Sequence, residues 1–226
     1  MAESLPDFGQ LREEMVETQL KARGVRDTAV LNAMRTVPRE LFVPPKVRAA
    51  AYRDRALPLL AEQTISQPFI VAKMIELLQL KPSDRVLEIG AGSGYAAAVM
   101  SQIVAHVYSV ERLPQLATYA RHHLEKGGFD NVTVFDADGT LGLPDHAPYD
   151  AIAVAASGPR IPTELPKQLA INGRLILPVG KEKKQRLILV TRKSQRRFSK
   201  KRLAPVRFVP LIGQDGWEGV RPQDGK

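Results

Sequence analysis

Three acidic positions and one glycine-rich run hold most of the chemistry that can be read from this chain. The run, Glu88-Ile89-Gly90-Ala91-Gly92-Ser93-Gly94-Tyr95, follows directly on Val86 and Leu87, which with Glu88 and Ile89 read as a short buried strand. Glycines at such a turn let the chain bend sharply and let a ligand approach the backbone with no Cβ in the way. A dinucleotide fingerprint would set glycine or alanine at position 95, and Tyr95 stands there instead. The G-x-G-x-G spacing, with Glu88 two residues before Gly90, suits a ligand that lacks a pyrophosphate. S-adenosylmethionine is such a ligand: its ammonium can meet an acid and its carboxylate can meet turn amides. Glu111 follows about 20 residues after the glycine turn, where an acid can hold both ribose hydroxyls. Asp138-Gly139 falls near the end of a third strand, where a carboxylate and its neighbouring backbone could read the adenine amino edge. Acidic and glycine positions at the carboxyl ends of three consecutive strands line one crevice. The expected donor site is therefore Glu88, Gly90, Ala91, Gly92, Ser93 and Gly94, with Glu111, the adjoining Arg112, Asp138 and Gly139.

Other chemistries are excluded. There is no cysteine, so disulfides, thiolate metal sites and cysteine nucleophiles are ruled out. His106, His122, His123 and His146 fall in separate strand, helix and loop contexts, and the adjacent pair diverges on a helix, so no metal site is expected. No Asn-Pro-Pro-Tyr-like motif for amino-group methylation is present. Thr64-Ile65-Ser66-Gln67-Pro68 is a second distinctive segment, and composition alone favours reading it as a turn that caps a proline-led helix. The net charge of +9 is unevenly placed. Residues 181–207 carry twelve Lys or Arg against one acid, Glu182, which leaves 21 basic and 23 acidic residues elsewhere. This is a near-neutral domain with one basic segment, read as a solvated hairpin because only Phe198 interrupts the cluster. The alternative is a phosphate-binding surface for RNA. The start of the chain lacks a signal-peptide pattern, and the apolar stretch 68–80 is broken by Lys73 and Glu76, so a cytoplasmic protein, most simply a monomer, is expected.

The elements that must position these residues follow from periodicity. Phe8, Leu11, Met15 and Leu20 keep helical spacing up to Gly24, and Asp27 is placed to cap a second helix through Met34. Pro38, Pro44 and Pro45 mark irregular chain, and a third helix is expected over 68–80 with proline in its first turn. From Asp84 onward strand and helix alternate. Strands are expected at 86–89, 107–110, 132–135, 150–155 and 174–179, with helices to about Val104, over 113–125 and over 162–169. This alternation predicts an α/β fold with a mostly parallel sheet covered on both faces. Residues 186–191 and 206–211 read as two strands joined by a basic loop, an antiparallel hairpin closing the sheet. The expected organisation is one domain: a helical cap (1–80), a cofactor-binding core (84–180) and a hairpin with tail (181–226).

From about Met15 to Leu211 the chain also resembles the bacterial protein-L-isoaspartate O-methyltransferases. The stretches that carry this are MVETQLKARGVRD, VLNAMRTVPRELFVP, QTISQPFIVAKM, DRVLEIGAGSGYAAAV, VYSVERLPQLA, GGFDNVTVFDADGTLG, PYDAIAVAAS, LPKQLAINGRLILPVG and PVRFVPL. TISQP and MRTVPRELFVP are the more particular to that family; the glycine turn is shared by many methyltransferases. The resemblance implies a Rossmann-like class I methyltransferase fold and esterification of isoaspartyl carboxylates, a protein-repair reaction that yields S-adenosylhomocysteine. It further implies that Ser66 is the active-site serine, that Thr64 and Ile65 lie against the donor, and that Glu111 and Asp138-Gly139 hold ribose and adenine. A carboxylate acceptor is ionised near neutral pH, so Ser66 is expected to position it and not to act as nucleophile. The chain departs from the family at Leu60 and Glu62, where glycines are usual, and in the turn Ala155-Ala156-Ser157-Gly158-Pro159. The stretch after Leu211, IGQDGWEGVRPQDGK, is left outside this resemblance. Two other readings stand beside this one: a methyltransferase with a changed acceptor, RNA or a specialised peptide, motivated by the basic segment 181–207, and a cofactor-binding pseudoenzyme, motivated by Leu60 and Glu62.

Overall fold

The computed structural model describes residues 6–181 and 184–218. Glu182 and Lys183 of the basic segment, and the chain from residue 219 on, lie outside the described residues. Helix α1 (Phe8–Glu14) starts at Asp7, whose carboxylate accepts from the Gln10 amide, and runs through a wider turn (Met15–Leu20) to Gly24. Gly24 has φ 88°, the left-handed conformation that stops a helix. The Asp27 carboxylate caps α2 (Thr28–Thr36) through the Ala29 and Val30 amides, as its position in the sequence predicts. Two short strands follow, β1 (Leu57–Pro58) and β2 (Thr64–Ile65), paired antiparallel. Proline begins α3 (Pro68–Leu78), where its missing N–H breaks no helical bond.

The core is one seven-stranded sheet. In chain order its members are β3 (Arg85–Ile89), β4 (His106–Glu111), β5 (Val132–Asp136), β6 (Tyr149–Val154), β7 (Leu169–Lys181), β8 (Lys184–Arg192) and β9 (Phe198–Val206). Helix α4 (Tyr95–Ser101) joins β3 to β4, and α5 (Pro114–Gly127) joins β4 to β5. The spatial order is β5-β4-β3-β6-β7-β8-β9; the first five strands run parallel and the last two antiparallel. The chain after β3 passes to β4 on one side and the chain after its neighbour β6 passes to β7 on the other, which opens a crevice at the carboxyl end of β3.

Side chains alternate cleanly across the sheet. Val86, Val107, Ala151, Ala153 and Ile176 face the side covered by α2, α3, α4 and α5. Leu87, Ile89, Val110, Ile152, Val154, Leu175 and Leu177 face the other side. Among the described residues no α-helix closes that second side. The expected helix over 162–169 is absent: only a single 3₁₀ turn, Pro166–Gln168, forms there. Pro162 and Pro166 each lack a donor and crowd the preceding turn, and the Thr163 amide donates to Asp215 of the C-terminal segment at 2.6 Å instead. Leu165, Ile161, Leu143 and Leu211 cover the second face from irregular chain.

The C-terminal hairpin is also displaced from its expected register. The basic stretch read as a loop is itself the edge strand β9, and the apolar stretch 206–211 does not pair with β8 beyond Val206. Residues 209–211 instead run beside Ser157, which donates to Val209 O at 2.8 Å and accepts from the Leu211 amide at 2.9 Å. The physical reason is burial: an edge strand is solvated and tolerates lysine and arginine, whereas Val209 and Leu211 find apolar cover against the second face.

Candidate active site

The glycine turn between β3 and α4 is built as the spacing requires. Gly90, Gly92 and Gly94 have φ 92°, 55° and 87°, all in the left-handed region. The Gly90 and Ala91 amides donate to Val110 O, at 2.8 and 3.2 Å, which fastens the turn to the end of β4. Glu111, also at the end of β4, is buried, and its carboxylate accepts from the Gly92 amide at 3.0 Å and the Leu113 amide at 3.1 Å. These two bonds fix the carboxylate at the mouth of the crevice.

A pocket of about 120 Å³ occupies this crevice. Of the residues expected from the sequence, Thr64, Ile65, Ser66, Glu88, Gly90, Ala91, Gly92, Ser93, Glu111, Arg112 and Gly139 line it. Gly94 and Asp138 stand off its wall. Gly94 serves packing: a Cβ there would lie 3.1 Å from Leu124 of α5. Asp138 is engaged inside the fold. Its Oδ1 accepts from the Thr140 amide and hydroxyl at 2.9 and 2.7 Å, and its Oδ2 accepts from the Gln214 amide at 2.7 Å. It thus anchors the C-terminal segment, and Leu211 and Ile212 of that segment join the pocket wall beside Gly139. The same segment is held by Asp215, which accepts from Thr163 and Arg160, contacts that draw its carboxyl below the ordinary range. Trp217 Nε1 donates to Ser157 O at 2.8 Å. Leu211 and Ile212 had no signal in the sequence beyond being apolar.

The electrostatics of the pocket are set by Glu88 and Glu111. Glu88 is 1% exposed, and its carboxylate accepts from the Ser109 hydroxyl on the neighbouring strand. Burial pushes its carboxyl up to about 8; Ser109 opposes the rise and the nearby Glu111 carboxylate adds to it. The rest of the wall is apolar where Ile65, Val71, Leu113, Leu116 and Ile212 contribute. Two acids, a glycine turn with no Cβ in the way and an apolar wall suit a zwitterionic sulfonium nucleoside.

Ser66 sits on this wall and is not the cap of α3. That helix has no side-chain cap, and the Ser66 hydroxyl makes no hydrogen bond within the described residues. Its carbonyl is held by Arg39, a residue whose part the sequence pattern hides. Arg39 is fully buried, donates to Ser66 O and Ala51 O at 2.7 Å each, and lies 4.7 Å from the Tyr95 ring centroid. Burial lowers its affinity for the proton, and the Tyr95 hydroxyl beside it partly offsets this. The Tyr95 ring in turn packs edge-on against Phe42 at 5.8 Å. Leu60 and Glu62 are exposed at the tip of the β1–β2 hairpin and line no part of the pocket. Ala61 and Glu62 have φ 54° and 56°, so the turn keeps a glycine-type backbone without glycine.

This sheet order, with a donor pocket at the carboxyl end of β3, defines a class I methyltransferase that uses S-adenosylmethionine. The particular family follows from comparison. A model of the protein-L-isoaspartate(D-aspartate) O-methyltransferase family matches residues 10–216. Protein-L-isoaspartate O-methyltransferase 2 of Pelobacter propionicus is 57% identical over 207 residues, covering 91% of this chain and 92% of that one. Protein-L-isoaspartate O-methyltransferase 1 of Rhodopseudomonas palustris is 53% identical over 224 residues, covering 99% and 91%. A solved protein-L-isoaspartate O-methyltransferase superposes with TM-score 0.81 at 32% identity, covering 91% of this chain and 67% of that one. A Plasmodium falciparum structure of the same description, holding S-adenosyl-L-homocysteine, gives 0.77 at 27% identity, covering 89% and 98%. The chain belongs to the protein-L-isoaspartate O-methyltransferase family.

Proposed function

We propose that this chain transfers the methyl group of S-adenosylmethionine to the free carboxylate of L-isoaspartyl residues in damaged proteins, with Ser66 holding that carboxylate. The observation that carries the reading is Ser66 itself: on the pocket wall, hydroxyl free, backbone fixed by a buried arginine. When bound, S-adenosylmethionine supplies a methyl carbon on a positively charged sulfur, open to in-line displacement. Glu88 and the Gly90–Gly92 turn would hold its amino-acid end, Glu111 its ribose, and Gly139 with Ile212 its adenine. An isoaspartyl carboxylate is already ionised near neutral pH. The protein needs no general base, and among the described residues no histidine lies on the pocket wall. What remains is orientation. The Ser66 hydroxyl donates one hydrogen bond to the acceptor and so fixes the attacking oxygen.

We take protein, not nucleic acid, as the acceptor, and a cytoplasmic monomer as the working form. Among the described residues no helix is long and apolar enough to cross a membrane. The deciding experiment is transfer of labelled methyl to an isoaspartyl peptide, with an aspartyl peptide as control. Wild type labels the first and spares the second. Ser66→Ala lowers kcat about tenfold, the worth of one hydrogen bond to a charged group, and leaves donor affinity intact. A donor-loaded wild type that labels neither peptide refutes the assignment.

A further inference from the structure

The basic segment has no part in the methyl-transfer site, yet it forms a defined surface. Strand β9 is the edge of the sheet: β8 pairs with one side of it, and no described strand lies against the other. Lys200, Lys201 and Arg202 are exposed at its centre, and Lys193, Arg196 and Arg197 are exposed in the turn before it. Among the described residues no cation of 184–207 is ion-paired; every ion pair lies elsewhere in the molecule. Lysine on an edge strand discourages sheet-to-sheet pairing. That role accounts at most for the three cations of β9 and not for the twelve of residues 181–207, in a chain whose remainder carries 21 basic and 23 acidic residues.

A second feature gives the surface direction. A cavity of about 520 Å³ opens between β8 and β9 where their register shifts, lined by Lys184, Arg186 and Arg202 over Ile188, Val179 and Pro205, with no carboxylate among its described lining residues. From Pro205 and Val206 on this cavity the chain continues directly to Val209 and Ile212 on the donor pocket. β9 runs parallel to β3, so its carboxyl end lies at the same edge of the sheet as the donor pocket.

We propose that the β9 edge and its basic cavity form a docking surface for acidic, unfolded segments of the protein substrate, a reading that rests on the activity proposed above. Charge complementarity carries it. Conversion of a neutral asparagine to isoaspartate adds one carboxylate, so accumulated lesions make a chain more acidic. An extended polypeptide can also use the open backbone edge of β9. Single-stranded nucleic acid would call for exposed aromatic faces; Phe198, the one aromatic ring of the cluster, is half-buried with the Arg192 guanidinium 5.9 Å from its centroid.

The test uses the full chain and a triple variant, Lys200→Gln/Lys201→Gln/Arg202→Gln, with Lys200→Arg/Lys201→Arg as a charge-keeping control. Fluorescence anisotropy with a labelled glutamate-rich peptide that contains no isoaspartate reads docking independently of turnover. Wild type and the arginine control bind it and release it as salt is raised; the triple variant binds about tenfold more weakly, about a factor of two for each exposed cation. In methyl transfer, KM for an acidic isoaspartyl polypeptide rises about tenfold in the triple variant with kcat unchanged. KM for a short uncharged isoaspartyl peptide does not move. Equal binding of the glutamate-rich peptide by wild type and triple variant overturns the proposal, as does single-stranded RNA binding at this edge while that peptide is ignored. If wild type fails on the short peptide as well, the activity reading falls, and the anisotropy result still decides docking.

Discussion

Replacing Glu88 by glutamine isolates the contribution of one buried charge to donor binding. Glu88 is shut away from water, and its carboxyl is pushed up to about 8 by burial and by Glu111. At pH 7, one unit below that value, about a tenth of the protein carries an ionised Glu88. An incoming ammonium favours the ionised form, so binding at pH 7 must first release a proton. That release costs about 1.4 kcal/mol, or about tenfold in affinity. The dissociation constant of S-adenosylhomocysteine should therefore fall about tenfold per unit as pH rises from about 6 to about 7.5. This window lies below the titration of the ligand's own amino group. Isothermal titration calorimetry in buffers of different ionisation enthalpy should record nearly one proton released per ligand bound at pH 7. Glu88→Gln should bind with an affinity that does not vary over the same range and release no proton. A wild type with pH-independent affinity, or a glutamine variant that keeps the slope, would refute the reasoning.

The same group affects stability. The folded chain keeps the Glu88 proton where an unfolded carboxyl, with its ordinary value of 4.5, has lost it, so stability falls as pH rises from about 4.5 toward 8. The slope is up to about 1.4 kcal/mol per unit, read by urea denaturation, and Glu88→Gln should remove it. Gly213→Ala places a Cβ against the Asp138 carboxylate, which must then release the Gln214 amide; donor affinity by calorimetry should drop about tenfold, the worth of a hydrogen bond to a charged group. Arg39→Met frees the Ser66 carbonyl while leaving the glycine turn in place; kcat should fall about tenfold or more with donor affinity retained, and Arg39→Lys should restore only part of it. Glu62→Gly relieves a left-handed backbone at the hairpin tip. It should raise stability by about 1 kcal/mol in thermal unfolding with donor affinity unchanged, whereas a gain in donor binding would show that Glu62 obstructs the pocket.

Features set by near neighbours were legible in the sequence. Asp27 caps α2, Gly24 ends the first helical run, Pro68 opens α3, and the three glycines take left-handed backbone where the turn demands it. Each depends on atoms within a few residues. Misreadings came where a distant partner decides the outcome. Residues 162–169 have an apolar spacing that fits a helix, but the Thr163 amide is claimed by Asp215, 52 residues away. The Gln214 amide, 76 residues on, donates to Asp138 Oδ2, a contact that no local pattern announces and that leaves the expected place of Asp138 beside adenine untouched. Strand β9 was hidden because an edge strand needs no apolar alternation, and the more apolar stretch beside it attracted the assignment. Arg39 gave no signal because its partners are carbonyls of Ala51 and Ser66, and carbonyls look alike in every residue.

Tyr95 is the residue that spoils the dinucleotide pattern, and its ring lies in the core between Phe42 and Arg39 while its backbone opens the donor helix. One side chain therefore joins the nucleoside-binding half of the molecule to the half that presents Ser66. A change in the cap reaches the donor turn only where it displaces the Tyr95 ring itself, and recombination that exchanged caps between relatives would have to carry position 95 along with them.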